Sequence, residues 1–476
     1  MRPGLGRSYR IGGALSLVLF WLSSIALAAN PARAQPPNLV FILVDDLRWD
    51  ELGCMGHPFA LTPHVDRLAR EGSRFTNAFA TTPLCSPSRA SYLTGQYPHH
   101  HGITDNTARD AQSHRLVTFP ALLQKAGYRT GFIGKWHMGN DDSPRPGFDE
   151  WIALSGQGTS YDPQLNRNGK ISPSKGYTTD LLIEDSLKFL KREDPRPFLL
   201  YLSHKGLHPE LIQHADGSLS DPSAARFIPA KRHESLYKQA KVPRRPNVQD
   251  TLEGKPALQR PIAGLPPLSA HTGTSDESVR DRQRMLASID EGVGAIHAAL
   301  EASKRLDSTL IVFTSDHGYF YGEHGLSTER RLAYEETIRV PLIMRYPPLF
   351  RAGSTISPIV ISLDLGPTLL ELGQAPIPSN LDGRSILPLL REETRKLHDS
   401  FLIEHSSDQV FPRVANMGYI AIRTDRWKYI QYRDLKGMDE LYDLSADPYE
   451  LKNLIHDPTH TETLSTLQAE LRRQAR

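Results

Sequence analysis

Asn38-Leu39-Val40-Phe41-Ile42-Leu43-Val44, running straight into Asp45-Asp46, decides how the rest of the chain is read. Six consecutive apolar residues, ended by two acids, predict a central parallel strand buried on both faces. Outward from it, Thr62-Pro63 followed by Val65, Leu68, Ala69 and then Gly72 has the N-cap, first-turn proline and glycine stop of a helix. Thr118 to Gly127 repeats that pattern, and Arg129-Thr-Gly-Phe-Ile-Gly134 reads as the next strand. A helix from Thr179 to about Arg192 places Leu182, Ile183, Ser186 and Leu190 at helical spacing, and Phe198-Leu-Leu-Tyr-Leu202 follows as a strand. Met285, Ile289, Val293, Ile296 and Leu300 line one face of a further helix, and Leu310-Ile-Val-Phe-Thr314 then delivers Ser315-Asp316-His317-Gly318. The alternation predicts an α/β fold with a mostly parallel central sheet flanked by helices.

In open sheets of this kind, ligands gather beyond the carboxyl ends of the strands. Asp45-Asp46, Lys135-Trp136-His137, Ser203-His204 and Asp316-His317 each stand just past a strand, so a single site is expected. Two segments leave the alternation. Residues 210–278 are polar and rich in Pro and Gly, as expected of a long surface excursion that shapes a cleft. From about Ile386 short strands and turns take over, at Gly418–Arg423, Trp427–Tyr432 and Glu440–Leu444, with a terminal helix after about Thr461. A smaller C-terminal antiparallel sheet subdomain is expected there, which divides the chain into 1–34, 35–385 and 386–476.

Residues 1–34 carry Arg2, Arg7 and Arg10, an apolar run from Ile11 to Leu27, and Ala32-Arg33-Ala34. That order is a secretory signal peptide with cleavage after Ala34, an uncleaved anchor being the alternative. It implies an exported chain, periplasmic or secreted, with no stable membrane insertion after cleavage. The formal charge of +2 owes everything to this leader; the remainder has 52 Lys and Arg against 54 Asp and Glu. No basic surface suited to nucleic acid follows. With 39% apolar and 23% charged residues in 476, a disordered or fibrous chain is excluded. The two cysteines, Cys54 and Cys85, would suit one disulfide in an oxidising compartment.

The surroundings of Cys85 argue for chemistry instead. In Leu84-Cys85-Ser86-Pro87-Ser88-Arg89, with Thr94-Gly95 behind, Ser86-Pro87 has the form of N-cap and first helical residue and Gly95 that of a stop. Cys85 is therefore expected just before a helix whose free N–H groups point at it, with Arg89 one turn in as a fork for a tetrahedral anion.

Cys85-x-Pro87-Ser88-Arg89 followed by Leu93-Thr94-Gly95 resembles the signature of the type I sulfatases. Asp45-Asp46, Gly134-Lys-Trp-His-Met-Gly139, Asp316-His317-Gly318 with Gly322-Glu-His324, and Glu440 to Glu450 match further blocks of that family in the same order. The resemblance implies an alkaline-phosphatase-like fold and a Cα-formylglycine made from Cys85 by a maturation enzyme. It also implies a divalent cation, Ca²⁺ with Mg²⁺ as the alternative, held by Asp45, Asp46, Asp316, His317 and the residue at 85. Arg89 and Lys135 would bind sulfate, His137 would orient or deprotonate the hydrated aldehyde, and His208 would protonate the leaving oxygen, His204 being structural. Arg330 takes the register where relatives place a lysine, with a surface helix charge as its bland alternative. The implied reaction is hydrolysis of sulfate esters on a sulfated carbohydrate of glycosaminoglycan or mucin type. A phosphonate monoester or phosphodiester hydrolase, or a secreted carbohydrate-binding protein with unconverted Cys85, are the alternatives.

Overall fold

The strand read first lies in the middle of a ten-stranded sheet. In this computed structural model, which describes residues 35–476 apart from 222–224 and 407–409, together with residues 1, 6 and 8, Asn38–Val44 pairs in parallel with Thr309–Ser315 on one side and Phe198–Ser203 on the other. The leader expected over 1–34 otherwise lies outside the described residues. Arg129–Lys135 and Glu150–Leu154 continue the parallel run beyond Phe198–Ser203. The flanks are less regular. Leu342–Arg345 runs antiparallel to Thr309–Ser315, and Gln164–Arg167 antiparallel to Glu150–Leu154.

Strand alternation splits the apolar residues of Asn38–Val44 between two cores, which is why the stretch has no polar face. Leu39, Phe41 and Leu43 join Phe132, Tyr201 and Val312 beneath the helices Cys85–Thr94 and Phe119–Lys125. Val40, Ile42 and Val44 join Leu200, Leu202 and Phe313 on the opposite face, covered by Pro63–Glu71, Thr178–Lys191 and Asp276–Ala302.

A separate antiparallel sheet follows, ordered Ser400–His405, Tyr419–Thr424, Trp427–Tyr432 and Glu440–Asp443, with the helix Thr461–Gln474 against it. Its inner residues share a core with Phe79, Tyr334 and Ile361 of the preceding chain, and Pro36–Arg476 forms one compact unit. Ser400–His405 escaped the sequence reading. Among its described residues the excursion carries short 3-10 turns and the isolated bridges Glu210–Arg226 and Gln213–Leu219 before Ser275 caps the helix Asp276–Ala302.

Gly134 shows how tightly the strands converge on the site. Its φ is +125°, and a Cβ there would lie 1.8 Å from the Ser203 carbonyl oxygen of the neighbouring strand. No side chain fits without moving backbone, and Lys135 depends on that backbone for its position. Gly134→Ala is therefore expected to lose at least ~2 kcal/mol in chemical denaturation; a loss under about 0.5 kcal/mol, within the usual surface range, would mean that the two strands do not pack this closely.

Candidate functional site

The carboxyl ends of the parallel strands bring the expected residues together. Asp45, Asp46, Cys85, Lys135, Asp316 and His317 are all fully buried, and Arg89, Arg330, His208 and His137 nearly so. One ligand atom from each of Asp45, Cys85, Asp316 and His317 falls within 4.8 Å of every other. Asp46 stands outside that tight set, but its φ of 61° folds the backbone back so that its N–H donates to Asp316 Oδ1 at 3.0 Å. Asp is among the few side-chain-bearing residues, with Asn and His, that are enriched in left-handed backbone, and such strained positions cluster at functional sites.

Cys85 sits differently from expectation. The helix spans Cys85–Thr94, so Cys85 is its first residue and Leu84 the N-cap. Ser86 is not the cap: its hydroxyl donates to the His137 carbonyl oxygen, and its N–H donates to Asn106 Oδ1 at 3.1 Å. The helix is pinned to the strand end by Ser88 Oγ, which donates to the Asp316 carbonyl at 2.6 Å, and by Tyr92 OH, which donates to the Ser315 carbonyl at 2.8 Å. Gly95 closes it with φ +68°, as the sequence predicts. Cys54 and Cys85 are both free thiols, so the disulfide is not formed.

Cations surround the carboxylates. Lys135 Nζ donates to Asp45 Oδ2, and Arg89 Nη2 lies 3.4 Å from Asp45 Oδ2 and 3.0 Å from Asp316 Oδ2. Arg89 is not a free anion fork, because Nη1 is committed to the Lys135 carbonyl at 2.8 Å and Ser203 Oγ at 2.6 Å. Arg330 is not a surface charge: its Nε donates to Asp46 Oδ1 at 2.6 Å.

The protonation pattern follows from these neighbours. Burial would raise the Asp45 pKa, but Lys135 and Arg89 hold it well below the carboxylate range. Asp316 goes the other way, pushed up to about 7 by burial and by Asp45. Burial opposes charge on His317, yet Asp316 and the Cys85 sulfur raise it to about 9. Burial and Asp45 push the Cys85 thiol up, Lys135 and His317 pull it down, and it ends below its ordinary value. Burial and the Lys135 charge keep His137 and His208 neutral, well below the ordinary histidine range.

These residues fit a divalent cation. Asp46 Oδ2 is buried with no hydrogen-bond partner, and Asp316 Oδ2 has the Arg89 charge 3.0 Å away but no aligned hydrogen bond, a costly state that a cation would relieve. His317 Nδ1 donates to the Gly318 carbonyl at 3.0 Å, which turns Nε2 toward Cys85 Sγ, 3.4 Å away. A ring whose far nitrogen is held by a carbonyl is the usual arrangement of a ligating histidine.

His208 reaches the same site, where it feels Lys135, Asp45 and Arg330, with Nδ1 donating to the Pro209 carbonyl at 2.6 Å. His204, read as structural, is buried and both ring nitrogens lack a hydrogen-bond partner. Ser203 holds Arg89; the sequence reading missed Asn106 and Gln213, which hold Ser86 and His137 respectively. It also missed Lys205, a buried ammonium lowered to about 8 by burial and by Lys135. Ser203 was visible as a strand-end residue; Asn106 and Gln213 lie in irregular segments with no periodic signal.

Residues 37–375 match the sulfatase family, and residues 322–476 match the C-terminal region of N-sulphoglucosamine sulphohydrolase. An N-acetylglucosamine-6-O-sulfatase of Bacteroides thetaiotaomicron is 31% identical, over 92% of this chain and 87% of its own. A solved structure of a protein in complex with its substrate, D-glucosamine-2-N,6-O-disulfate, superposes with a TM-score of 0.80 at 30% identity, covering 92% of this chain and 97% of that one. The phosphonate monoester hydrolase of Agrobacterium radiobacter shares the fold, with a TM-score of 0.69 at 24% identity over 91% of this chain and 96% of its own.

Holding a cation requires Asp316 and His317 to give up their protons. Cation uptake by the metal-depleted protein should therefore release protons and strengthen as pH rises through about 7, by up to about tenfold per unit for each proton released. Calorimetric titration at about pH 6 and about pH 8 checks this, since the site predicts a clear difference; equal affinities would contradict the protonation pattern.

Proposed function

The chain belongs to the sulfatase family, and from that premise we propose that it removes sulfate esters, 6-O-sulfate foremost, from glucosamine-type units of sulfated carbohydrate. It is a sulfuric ester hydrolase. The observation that carries the reading is the convergence of Asp45, Cys85, Asp316 and His317 at the strand ends, ringed by Lys135, Arg89 and Arg330. The sugar follows from the relative named for N-acetylglucosamine 6-O-sulfate and from the glucosamine disulfate bound by the similar structure.

The family implies a divalent cation and a formylglycine in place of Cys85; we assign the cation as Ca²⁺, because three carboxylates offer hard oxygen ligands. Asp45, Asp46, Asp316 and His317 would hold it. Bound there, it neutralises sulfate oxygens, and the oxidised residue 85 supplies an oxygen nucleophile. Lys135 keeps Asp45 ionised and presents a positive charge to the sulfate. Arg330 adds a second cation on the Asp46 side. His137, neutral, can take a proton beside residue 85. His208 has its Nδ1 hydrogen on Pro209, so it faces the site through Nε2 and can protonate a leaving oxygen only after gaining a proton there. The leader implies export, to the periplasm or beyond, where polymeric sulfated sugars are met.

Protein made in a host that can oxidise the cysteine is expected to show a peptide about 18 Da lighter at position 85 than the unmodified thiol requires. Cys85→Ala should then abolish release of sulfate from glucosamine 6-sulfate, and chelation should remove activity that Ca²⁺ restores better than Mg²⁺. Full turnover by Cys85→Ala sinks the mechanism, and a faster rate on aryl phosphonate esters than on sulfate esters sinks the substrate class.

A further inference from the structure

His137 leaves the strand end with φ 60° and its ring held from outside the catalytic cluster. Its Nε2 lies 2.8 Å from Gln213 Oε1. The same amide oxygen accepts from Gln157 Nε2 at 2.7 Å, while Gln213 Nε2 donates to the Gly217 carbonyl at 2.9 Å. The donors fix the amide: turned over, it would set its NH₂ against that of Gln157 and its oxygen against that of Gly217. An amide oxygen only accepts, so the His137 hydrogen must sit on Nε2. On the other side of the ring, Nδ1 is 3.5 Å from Ser86 Oγ, but that hydroxyl spends its single hydrogen on the His137 carbonyl. Nδ1 is thereby left as a bare lone pair at the start of the helix that begins with Cys85.

We infer that Gln213 is a positioning residue for the sulfatase reaction, which fixes the tautomer and orientation of His137 so that Nδ1 is the proton acceptor beside residue 85. The inference rests on the role proposed for His137 and adds a part of the chain outside the short motifs on which the sequence resemblance was drawn. Gln213 stands on a small hairpin closed by His214 N–H to the Ser218 carbonyl at 2.8 Å and Ser220 N–H to the Ile212 carbonyl at 3.0 Å. Gly217 makes its turn with φ +86°, and the Ala108 N–H donates to the Ala215 carbonyl at 2.8 Å, which ties the hairpin to the main body. The excursion thus contributes to catalytic geometry and not merely to the outline of a cleft.

Three variants of the mature, metal-loaded enzyme test this. Gln213→Leu removes the acceptor and frees the ring, so kcat should fall about 10- to 100-fold with KM within about twofold. Gln213→Glu keeps an acceptor on Nε2 but loses the donor to the Gly217 carbonyl, so kcat should fall less than in Gln213→Leu, while the acid limb of the kcat–pH profile moves up because a carboxylate favours the imidazolium. The other charges near the ring are Lys135, Arg89 and Asp45, and none changes in these variants. His137→Ala separates the two layers of the claim. If it retains full turnover, the role of His137 fails and that of Gln213 with it. If it loses about 100-fold or more while Gln213→Leu equals the parent, His137 stands and the inference about Gln213 is overturned. Should Gln213→Leu not fold, an unmoved acid limb in Gln213→Glu overturns it equally.

Discussion

Three carboxylates buried together at one sheet edge are the constraint on which the rest of the structure depends. Asp45, Asp46 and Asp316 have no exposed surface, and like charges at this range cannot all remain ionised unaided. The protein answers with Lys135 on Asp45, Arg89 between Asp45 and Asp316, Arg330 on Asp46, and protons on Asp316 and His317. Removing one partner of a buried pair costs about 3–5 kcal/mol because the other charge is stranded. The cluster is therefore poised: a divalent cation held there would take the place of the two protons, satisfy the orphaned oxygen of Asp46, and leave the surrounding guanidinium and ammonium groups to face an anionic ester.

Such a cluster needs a frame that cannot relax, and the parallel sheet provides one. Asp45, Lys135 and Asp316 belong to or immediately follow three strands locked in register around Asn38–Val44, and the backbone hydrogen bonds carry past the strand ends through Asp316 N–H to Val44 and His204 N–H to Leu43. The helix from Cys85 is then fastened to that edge by Ser88 and Tyr92. Asp46 and His137 adopt left-handed backbone at this junction, and the rigid strands on either side hold that conformation in place. Arg89 links the two systems: it comes from the helix, yet it is anchored to the Lys135 carbonyl and the Ser203 hydroxyl before it meets any carboxylate.

The strands were legible because burial on both faces leaves an unmistakable run of apolar residues, and the site because its acids and bases sit at the ends of those runs. Cys85 was misplaced by two helical positions because Ser86-Pro87 imitates a cap; the serine hydroxyl found a better acceptor in the His137 carbonyl, a contact between residues far apart in sequence. Ser400–His405 went unread since Glu404 and His405 break the pattern of an edge strand while being buried against the rest of the protein, Glu404 through His99. Gln213 and Asn106 carry no periodicity at all. Their importance lies in what the fold places opposite them, and that is tertiary information.

Arg330 shows how one substitution redistributes the chemistry expected of a site. In the pattern that the sequence resembles, this register holds a lysine, which can both attract an oxygen and lend it a proton. Here the guanidinium is raised above even its ordinary pKa, burial being outweighed by Asp46, and its Nε is fixed on that carboxylate. It can neutralise but not protonate. On the proposed roles, the proton for the leaving oxygen then falls to His208, which burial and Lys135 keep neutral while nothing is bound. An arriving sulfate ester brings the negative charge that offsets Lys135 and raises the affinity of His208 Nε2 for a proton. On that proposed role the substrate's own charge would arm the acid that releases its alcohol, and a neutral ester of the same shape would find that histidine unprotonated.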